Sequence, residues 1–224
     1  MVNWTQPLDE YCERVAAGFW AEPANAFSNL SFIVAALVVF YDGKRRRVHT
    51  PSSYWLTFLL LSIGLGSFCY HTFANVWSRY TDIVPIYLFQ ISTMAIYGRL
   101  IGSRLGLTPV LGSIAMLMAF AALVAAFSVF PKTLLNGSIS YVPAWLALSL
   151  LGVYQAAFST AERYSLLLAS ACLALSLALR SLDLALCASV PLGTHFLWHL
   201  INGFTLYLVI KAVMGAQGAM KTGG

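Results

Sequence analysis

The chain alternates long apolar stretches with short polar breaks, and this pattern predicts seven membrane-spanning helices. A helix crosses the hydrocarbon core of a bilayer with about 20 mostly apolar residues. Windows of roughly that length lie between clusters of proline, glycine and charged residues, at about 25–41, 54–73, 82–98, 109–130, 141–158, 164–182 and 193–213. We predict an all-α polytopic membrane protein whose seven-helix domain occupies residues 25–213, with a segment at 1–24 before it and a tail at 214–224 after it.

The composition supports this class of protein. Hydrophobic residues make up 59% of the 224 residues and charged residues only 9%, whereas soluble domains contain about 25% charged residues. Residues 1–24 lack the continuous apolar core of a signal peptide, so we expect them to remain on the protein. The connections between the predicted helices are short, which favours one bundle over two domains.

The distribution of basic residues predicts the orientation of the bundle, because short loops rich in Lys and Arg favour the cytoplasmic side. One side carries nine of them: Lys44, Arg45, Arg46, Arg47, Arg99, Arg104, Arg163, Lys211 and Lys221. The other side carries four: Arg14, Arg79, Lys132 and Arg180. We therefore predict an outside N-terminus and a cytoplasmic C-terminus. The net charge of +5 reflects mostly this asymmetry, and no basic patch indicates a nucleic-acid partner; the sequence does not identify protein partners.

Four polar residues fall near the outer ends of the predicted helices. His71 lies at the end of the second helix, Asp82 opens the third, and His195 and His199 lie at the start of the seventh. Ser67 precedes His71 by four residues, which on a helix places it on the same face and about 6 Å deeper. An ionisable group inside a membrane is a functional candidate because its burial is costly. We predict a site near the outer face of the membrane.

The histidine spacing points to a zinc site. Two histidines four residues apart present their imidazoles on one helical face, and His71 can supply a third nitrogen. Three protein ligands leave the fourth position of a tetrahedral zinc ion for water, which is the catalytic pattern. Phe196 stands where zinc proteases carry a glutamate base. An isolated pair of this spacing is also compatible with hydrogen bonding between helices.

Asp82 and Ser67 are the candidate catalytic residues beside the metal. Asp82 is the best-placed carboxylate for a general base, and the Ser67 hydroxyl can donate a hydrogen bond to a developing oxyanion. Ser67 also lies in the small-residue string GLGS, which is typical of helix packing. We interpret Arg180 and Asp183, three residues apart, as an ion pair.

The predicted topology places two cysteines on the same outer side. Cys12 lies in the N-terminal segment and Cys187 in the loop after the sixth helix. A disulfide between them would tie the segment to the bundle in an oxidising compartment. Cys69 and Cys172 fall within helices and are expected to be free, although sequence alone does not fix the connectivity.

Several motifs together resemble the alkaline ceramidases, a branch of a wider family of seven-helix membrane hydrolases and receptors. They are EYCER, AEPANAFSN, GSFCYH, the TD pair with Pro85 after it, LDLALC and GTHFLWH, in the family's order from Glu10 to Asn202. The resemblance implies that His71, His195 and His199 bind zinc and that Ser67 and Asp82 assist at the metal. It also implies a disulfide between Cys12 and Cys187, and hydrolysis of the amide of ceramide to a fatty acid and a sphingoid base.

The resemblance also implies a candidate calcium site in the acidic N-terminal segment. Glu10, Tyr11, Glu13 and Glu22 occupy the family's positions, whereas the asparagine that follows the second acid in the family is Val15 here. Calcium takes six to eight oxygen ligands, so the loss of one weakens the expectation. The alternative is an acidic cap without a metal.

The sequence thus predicts a zinc-dependent amidase in the membrane that cleaves the N-acyl bond of ceramide or a ceramide-like lipid. The site is expected to face the extracytoplasmic side, either the periplasm or an organelle lumen. Two alternatives stay open: a lipid- or sterol-responsive receptor of the same wider family, and a hydrolase of another acyl lipid. The sequence does not identify the headgroup or the acyl chain of the substrate.

Overall fold

The structure is a computed structural model that describes residues 2–222, with side chains described through residue 219. Within that range the chain forms eight α-helices: α1 Pro23–Ser28, α2 Leu30–Arg46, α3 Pro51–Phe73, α4 Val76–Arg104, α5 Pro109–Phe127, α6 Val142–Phe158, α7 Ser165–Leu182 and α8 His195–Thr222. Helices α1 and α2 together form one span, so that seven segments are long and apolar enough to cross a membrane. The predicted all-α fold with seven spans is confirmed.

Helices α4 and α8 extend furthest beyond their predicted windows. Helix α4 begins at Val76 because Asn75 and Ser78 form a capping box, in which each side chain bonds the backbone N–H of the other residue. Asp82 therefore lies within α4, nearly two turns after its start, and not at its first residue. Helix α8 continues to Thr222 instead of ending near 213. The side chain of Lys221 and residues 223–224 of the predicted tail lie outside the described part.

Helices α3 and α4 approach each other closely at one glycine. A Cβ atom at Gly66 would overlap the carbonyl oxygen of Thr81, and the Thr81 hydroxyl donates to the Gly66 carbonyl at 3.1 Å. Glycine is needed there because any side chain would separate the two backbones. The contact places Ser67, the next residue of α3, opposite Asp82, the next residue of α4.

The N-terminal segment folds across the end of the bundle where α3 ends and α4 begins. The backbone N–H of Leu8 donates to the Ala74 carbonyl at 2.8 Å, and that of Val76 donates to the Gln6 carbonyl at 3.2 Å. The predicted disulfide is present: Cys12 is bonded to Cys187, 175 residues later in the chain. A covalent link across so long a loop restricts the unfolded chain and stabilises the closed arrangement.

The carboxylate of Glu162 holds the opposite end of the bundle together. Glu162, in the turn between α6 and α7, pairs with Arg46 of α2 at 2.8 Å and with Lys211 of α8 at 3.1 Å. Hydrogen bonds and ion pairs with these two cations and Ser165 outweigh the effect of burial and lower the pKa of Glu162. The carboxylate is thus ionised at neutral pH and links three helices. Between the two ends the core is apolar.

Candidate metal centre

Three histidines converge at the end of the bundle that carries the N-terminal segment. His71 lies in the last turn of α3, and His195 and His199 lie in the first two turns of α8. All three side chains are buried, and their candidate ligand atoms lie within 4.8 Å of one another. The sequence predicted this convergence from the helix orientation and the spacing of the pair. Three ligand atoms so close together can hold one metal ion.

The hydrogen bonding of the histidines fits a metal ion. His71 Nε2 and His195 Nδ1 are buried and have no hydrogen-bond partner among the described residues. Buried polar atoms are nearly always paired, since an unpaired one loses its interaction with water. Two unpaired ring nitrogens within one cluster are therefore what a cation-binding site requires. Neutral imidazole is also the form that binds zinc.

Second partners orient two of the imidazoles. His71 Nδ1 lies 2.6 Å from a carboxylate oxygen of Glu22, which accepts a hydrogen bond from Nδ1–H and leaves Nε2 as the free ligand atom. Ser28 donates its only proton to the Asn25 carbonyl at 2.8 Å, so its oxygen accepts from His199 Nδ1, also at 2.8 Å. This fixes His199 Nε2 as the second ligand atom. Neither partner was identified from the sequence.

Asp183 fixes the backbone that carries the third histidine, His195. One of its carboxylate oxygens accepts hydrogen bonds from the backbone N–H groups of Thr194 at 2.6 Å and His195 at 2.9 Å, and thereby caps the start of α8. The other oxygen accepts the backbone N–H of Cys12 at 3.0 Å. The expected ion pair with Arg180 is wrong: among the described residues Asp183 is satisfied by backbone donors instead. Asp183 thus joins the N-terminal segment, α7 and α8.

The two candidate catalytic residues lie beside the histidines. Ser67 Oγ is buried and lies 3.4 Å from His199 Nε2. Asp82 interacts with both Ser67 and His71, while part of its side chain faces a cavity. The structure therefore brings together the five residues that the sequence grouped: three imidazoles, one hydroxyl and one carboxylate. Their catalytic roles stay predictions.

Tyr11 covers the histidine cluster. Its ring stacks on that of His195 with a centroid distance of 3.7 Å, and it lies 5.3 Å from that of His71. Burial raises the pKa of the Tyr11 phenol, although the Arg180 guanidinium opposes this shift. Tyr11 therefore stays protonated and can donate a hydrogen bond. The sequence placed Tyr11 only in the candidate calcium site.

A cavity of about 820 Å³ opens beside the cluster, between the N-terminal segment, α4, α5 and α6. Its polar lining includes Tyr11, Asp82 and Arg180. Its other wall is apolar and comes largely from α5, through Leu117, Phe120, Ala121 and Val124. The cavity thus combines a reactive polar end with room for an apolar chain.

The residues of the candidate calcium site do not fit a calcium ion. Their oxygens already accept hydrogen bonds from protein donors: Glu10 from Arg79 and Tyr70, Glu13 from the backbone of Ala24 and Asn25, Glu22 from Arg14, His71 and Asn25, and the Tyr11 carbonyl from the backbone of Arg14. Glu13 thus caps the start of α1. The positive charge beside Glu22 comes from the side chain of Arg14, so Glu22 needs no calcium ion to balance its charge.

The Nε atom of Arg14 lies 2.5 Å from a carboxylate oxygen of Glu22. Both side chains are buried, at 8% and 3% exposure. Burial alone would raise the pKa of Glu22, but hydrogen bonds from His71, Arg14 and Asn25 outweigh it and lower the pKa. Glu22 therefore stays ionised without a calcium ion and remains able to accept a hydrogen bond from His71.

We expect the protein to be independent of calcium and sensitive to Arg14. A calcium chelator should leave the melting temperature of the purified protein unchanged. The R14M variant should lose about 3–5 kcal/mol of stability, the usual consequence of removing one partner from a buried ion pair. Thermal unfolding in detergent measures both effects, with R45M, an exposed arginine at the opposite end, as the control. A clear rise in the wild-type melting temperature on adding calcium would contradict this account.

Comparison with known proteins identifies one relationship. A family model described as Ceramidase matches residues 8–221 of the chain. No curated protein and no solved structure gives a match. The matched range includes residues 8–24 of the N-terminal segment, all seven spans and every residue of the histidine cluster.

Proposed function

The chain belongs to the ceramidase family, and on that premise we propose that it is a zinc-dependent amidase that cleaves the N-acyl bond of ceramide or a ceramide-like lipid. The observation that carries the proposal is the convergence of three buried imidazoles beside Ser67 and Asp82. The products are a fatty acid and a sphingoid base. Water supplies the oxygen of the new carboxyl group and the two protons that the amine and the acid require.

His71, His195 and His199 would hold the metal ion. Zinc is the metal best matched by three neutral imidazoles in a site that leaves room for one more ligand. The chemistry that such a site supplies with zinc bound is Lewis acidity toward a carbonyl oxygen and activation of water near neutral pH. Glu22 and Ser28 keep two of the imidazoles in the required tautomer by accepting hydrogen bonds from their Nδ1–H groups.

Asp82 would move the proton. Its carboxylate lies at the boundary between the cluster and the cavity, where both water and the scissile amide can reach it. In the proposed reaction Asp82 accepts a proton from the attacking water and returns it to the nitrogen as the C–N bond breaks. The departing group is then a neutral amine, which leaves far more readily than an amide anion.

Ser67 would stabilise the tetrahedral intermediate. Its hydroxyl lies next to both Asp82 and His199, and in the proposed reaction it donates a hydrogen bond to the carbonyl oxygen as that atom gains negative charge. A donor fixed in advance at that position stabilises the oxyanion without rearrangement. The Gly66–Thr81 contact holds this hydroxyl and the carboxylate at their separation.

The cavity supplies a route for the lipid. The apolar wall from α5 suits an acyl chain that enters sideways from the bilayer. A second cavity, of about 90 Å³, shares Gln90, Phe120 and Tyr141 with the first and extends among apolar side chains. By the distribution of basic residues we assign the site to the extracytoplasmic side of the membrane.

Turnover by the purified full-length protein tests the proposal. We expect ceramide with a palmitoyl chain to yield palmitate and sphingoid base in equal amounts, quantified by mass spectrometry, whereas a phospholipid ester with the same chain stays intact. Cleavage of the ester alone would indicate a hydrolase of another acyl lipid. Tight lipid binding without products from any amide would indicate a receptor, and either result would overturn the proposal.

A further inference from the structure

Arg180 is a cationic side chain at the active site that the proposed reaction does not use. It lies near the end of α7, deep in the bundle, with part of its surface open to the large cavity. Its guanidinium carbon lies 5.5 Å from the ring centroid of Tyr141 and 5.8 Å from that of Trp198. These rings favour a cation between them. The sequence predicts Arg180 on the outer side and in an ion pair with Asp183, and that ion pair is absent from the described residues.

The hydrogen bonds of Arg180 leave part of its capacity unused. Nη1 donates to the Asn136 carbonyl at 2.7 Å and to Ser138 Oγ at 3.0 Å, and Nη2 lies 3.5 Å from the Tyr11 hydroxyl. A guanidinium has five N–H donors. Among the described residues, the Nε donor and one Nη2 donor have no partner within hydrogen-bond distance. One edge of the guanidinium therefore anchors the loop before α6, and the other remains available.

Within the described residues, no acidic side chain lies within ion-pair distance of Arg180, and Glu10 and Asp82 act on it only electrostatically at longer range. Of the two acids that line the same cavity, Glu10 pairs with Arg79 at 3.0 Å. Asp82 interacts with Ser67 and, electrostatically, with His71 and Arg180, without a direct ion pair to either of these two among the described residues. Lys132 is a second cation of the cavity lining without an ion-pair partner among these residues. The cavity thus carries more positive than negative charge, even before any metal ion is bound.

We propose that Arg180 and Tyr11 form an anion-binding subsite and that the preferred substrate is an N-acyl lipid whose headgroup carries a phosphate, sulfonate or carboxylate. This inference rests on the proposed function and names the substrate class of the same site. A guanidinium pairs with such anions through two parallel hydrogen bonds. The hydroxyl headgroup of plain ceramide has no charge to match it.

The position of the subsite suits a headgroup more than an acyl chain. Tyr11 stacks on His195 with its ring and reaches Arg180 with its hydroxyl, so one side chain separates the subsite from the histidine cluster. The headgroup of a sphingoid lipid is attached within a few bonds of the amide nitrogen. An amide at the histidines therefore places its headgroup near Arg180, while the acyl chain lies along the apolar wall of α5.

Competition between matched lipids tests the inference. The purified wild-type protein is given equal amounts of palmitoyl ceramide and an otherwise identical lipid with a phosphate headgroup, and sulfonate and carboxylate analogues follow in separate arms. The readout is the ratio of kcat/KM for the anionic lipid to that for the neutral one. We expect a ratio of about 10 to 100, since a hydrogen bond to a charged group contributes roughly that factor in affinity.

Variants of Arg180 then assign the preference to this side chain. R180Q should lower the ratio about tenfold or more, while R180K, which keeps the charge without the planar fork, should lower it less. R99Q, an exposed arginine of α4 outside the cavity, is the matched control and should leave the ratio unchanged. Metal content and melting temperature, measured on every variant, separate recognition from loss of structure.

The outcomes distinguish this inference from the proposed function. Hydrolysis of ceramide with a wild-type ratio of one or below would overturn the anion subsite and leave the amidase intact. Failure to hydrolyse any amide of the panel would overturn the amidase itself. If R180Q relieved inhibition by free palmitate but left the ratio unchanged, Arg180 would bind the product carboxylate, and the headgroup assignment would be wrong.

Discussion

The H199A variant is expected to lose its metal ion and essentially all hydrolysis. His199 supplies one of the three candidate ligand atoms, and among the described residues the cluster contains only His71 and His195 besides it. A metal ion contributes several kcal/mol of transition-state stabilisation. Its loss should therefore lower kcat/KM by about 10³-fold or more. Metal analysis and lipid mass spectrometry on the same sample measure both losses.

His49 provides the matched control for this variant. It is the remaining histidine of the chain and lies at the opposite end of the bundle, where its Nε2 is 3.0 Å from the Phe40 carbonyl. The H49Q variant should keep both its metal ion and its activity. If H199A lost the metal but hydrolysed ceramide at the wild-type rate, the metal would have no part in the chemistry.

The D82N variant is expected to lose activity while keeping the metal ion. The amide has nearly the same shape as the carboxylate, and Asp82 is not one of the three clustered ligands. The asparagine amide cannot accept a proton from water, however, and general base catalysis typically accelerates a reaction by 10²–10⁴-fold. We expect kcat to fall by about 10²-fold or more, with little change in melting temperature.

D9N is the control for this substitution, because Asp9 is an exposed acid of the N-terminal segment. D82E should recover part of the activity, since it restores a carboxylate at a slightly different distance. Equal loss of metal and activity in D82N would show that Asp82 supports the metal site instead of moving a proton. Unchanged activity would remove Asp82 from the mechanism.

The sequence predicted those features that follow from the membrane itself. A bilayer requires each span to be long, apolar and helical, so hydropathy alone located all seven. The helix directions then placed the ends of α3 and α8 together, and the four-residue spacing put His195 and His199 on one face. The closeness of His71 to that pair followed from topology and needed no side-chain detail.

The features that the sequence did not predict depend on how the N-terminal segment folds. The hydrophobic positions of this segment follow no helical period. Its sequence therefore does not indicate that Glu22 accepts a hydrogen bond from His71 or that Arg14 pairs with Glu22. The sequence likewise does not indicate that the Tyr11 ring stacks on that of His195, because the two residues are far apart in the chain. Arg180 was assigned to the nearest acid in the sequence, yet Asp183 turns toward the start of α8. Closeness in sequence therefore did not identify the hydrogen-bond partners of Asp183.

In the proposed reaction one metal ion, held by the three histidines, is required for cleavage of a lipid amide. The most direct test is to strip the purified protein of metal and restore zinc stepwise, following bound metal and product release together. We predict that activity rises in proportion to occupancy and reaches its maximum at one ion per chain. Full turnover by the metal-free protein, or binding of zinc without any recovery of activity, would contradict the account.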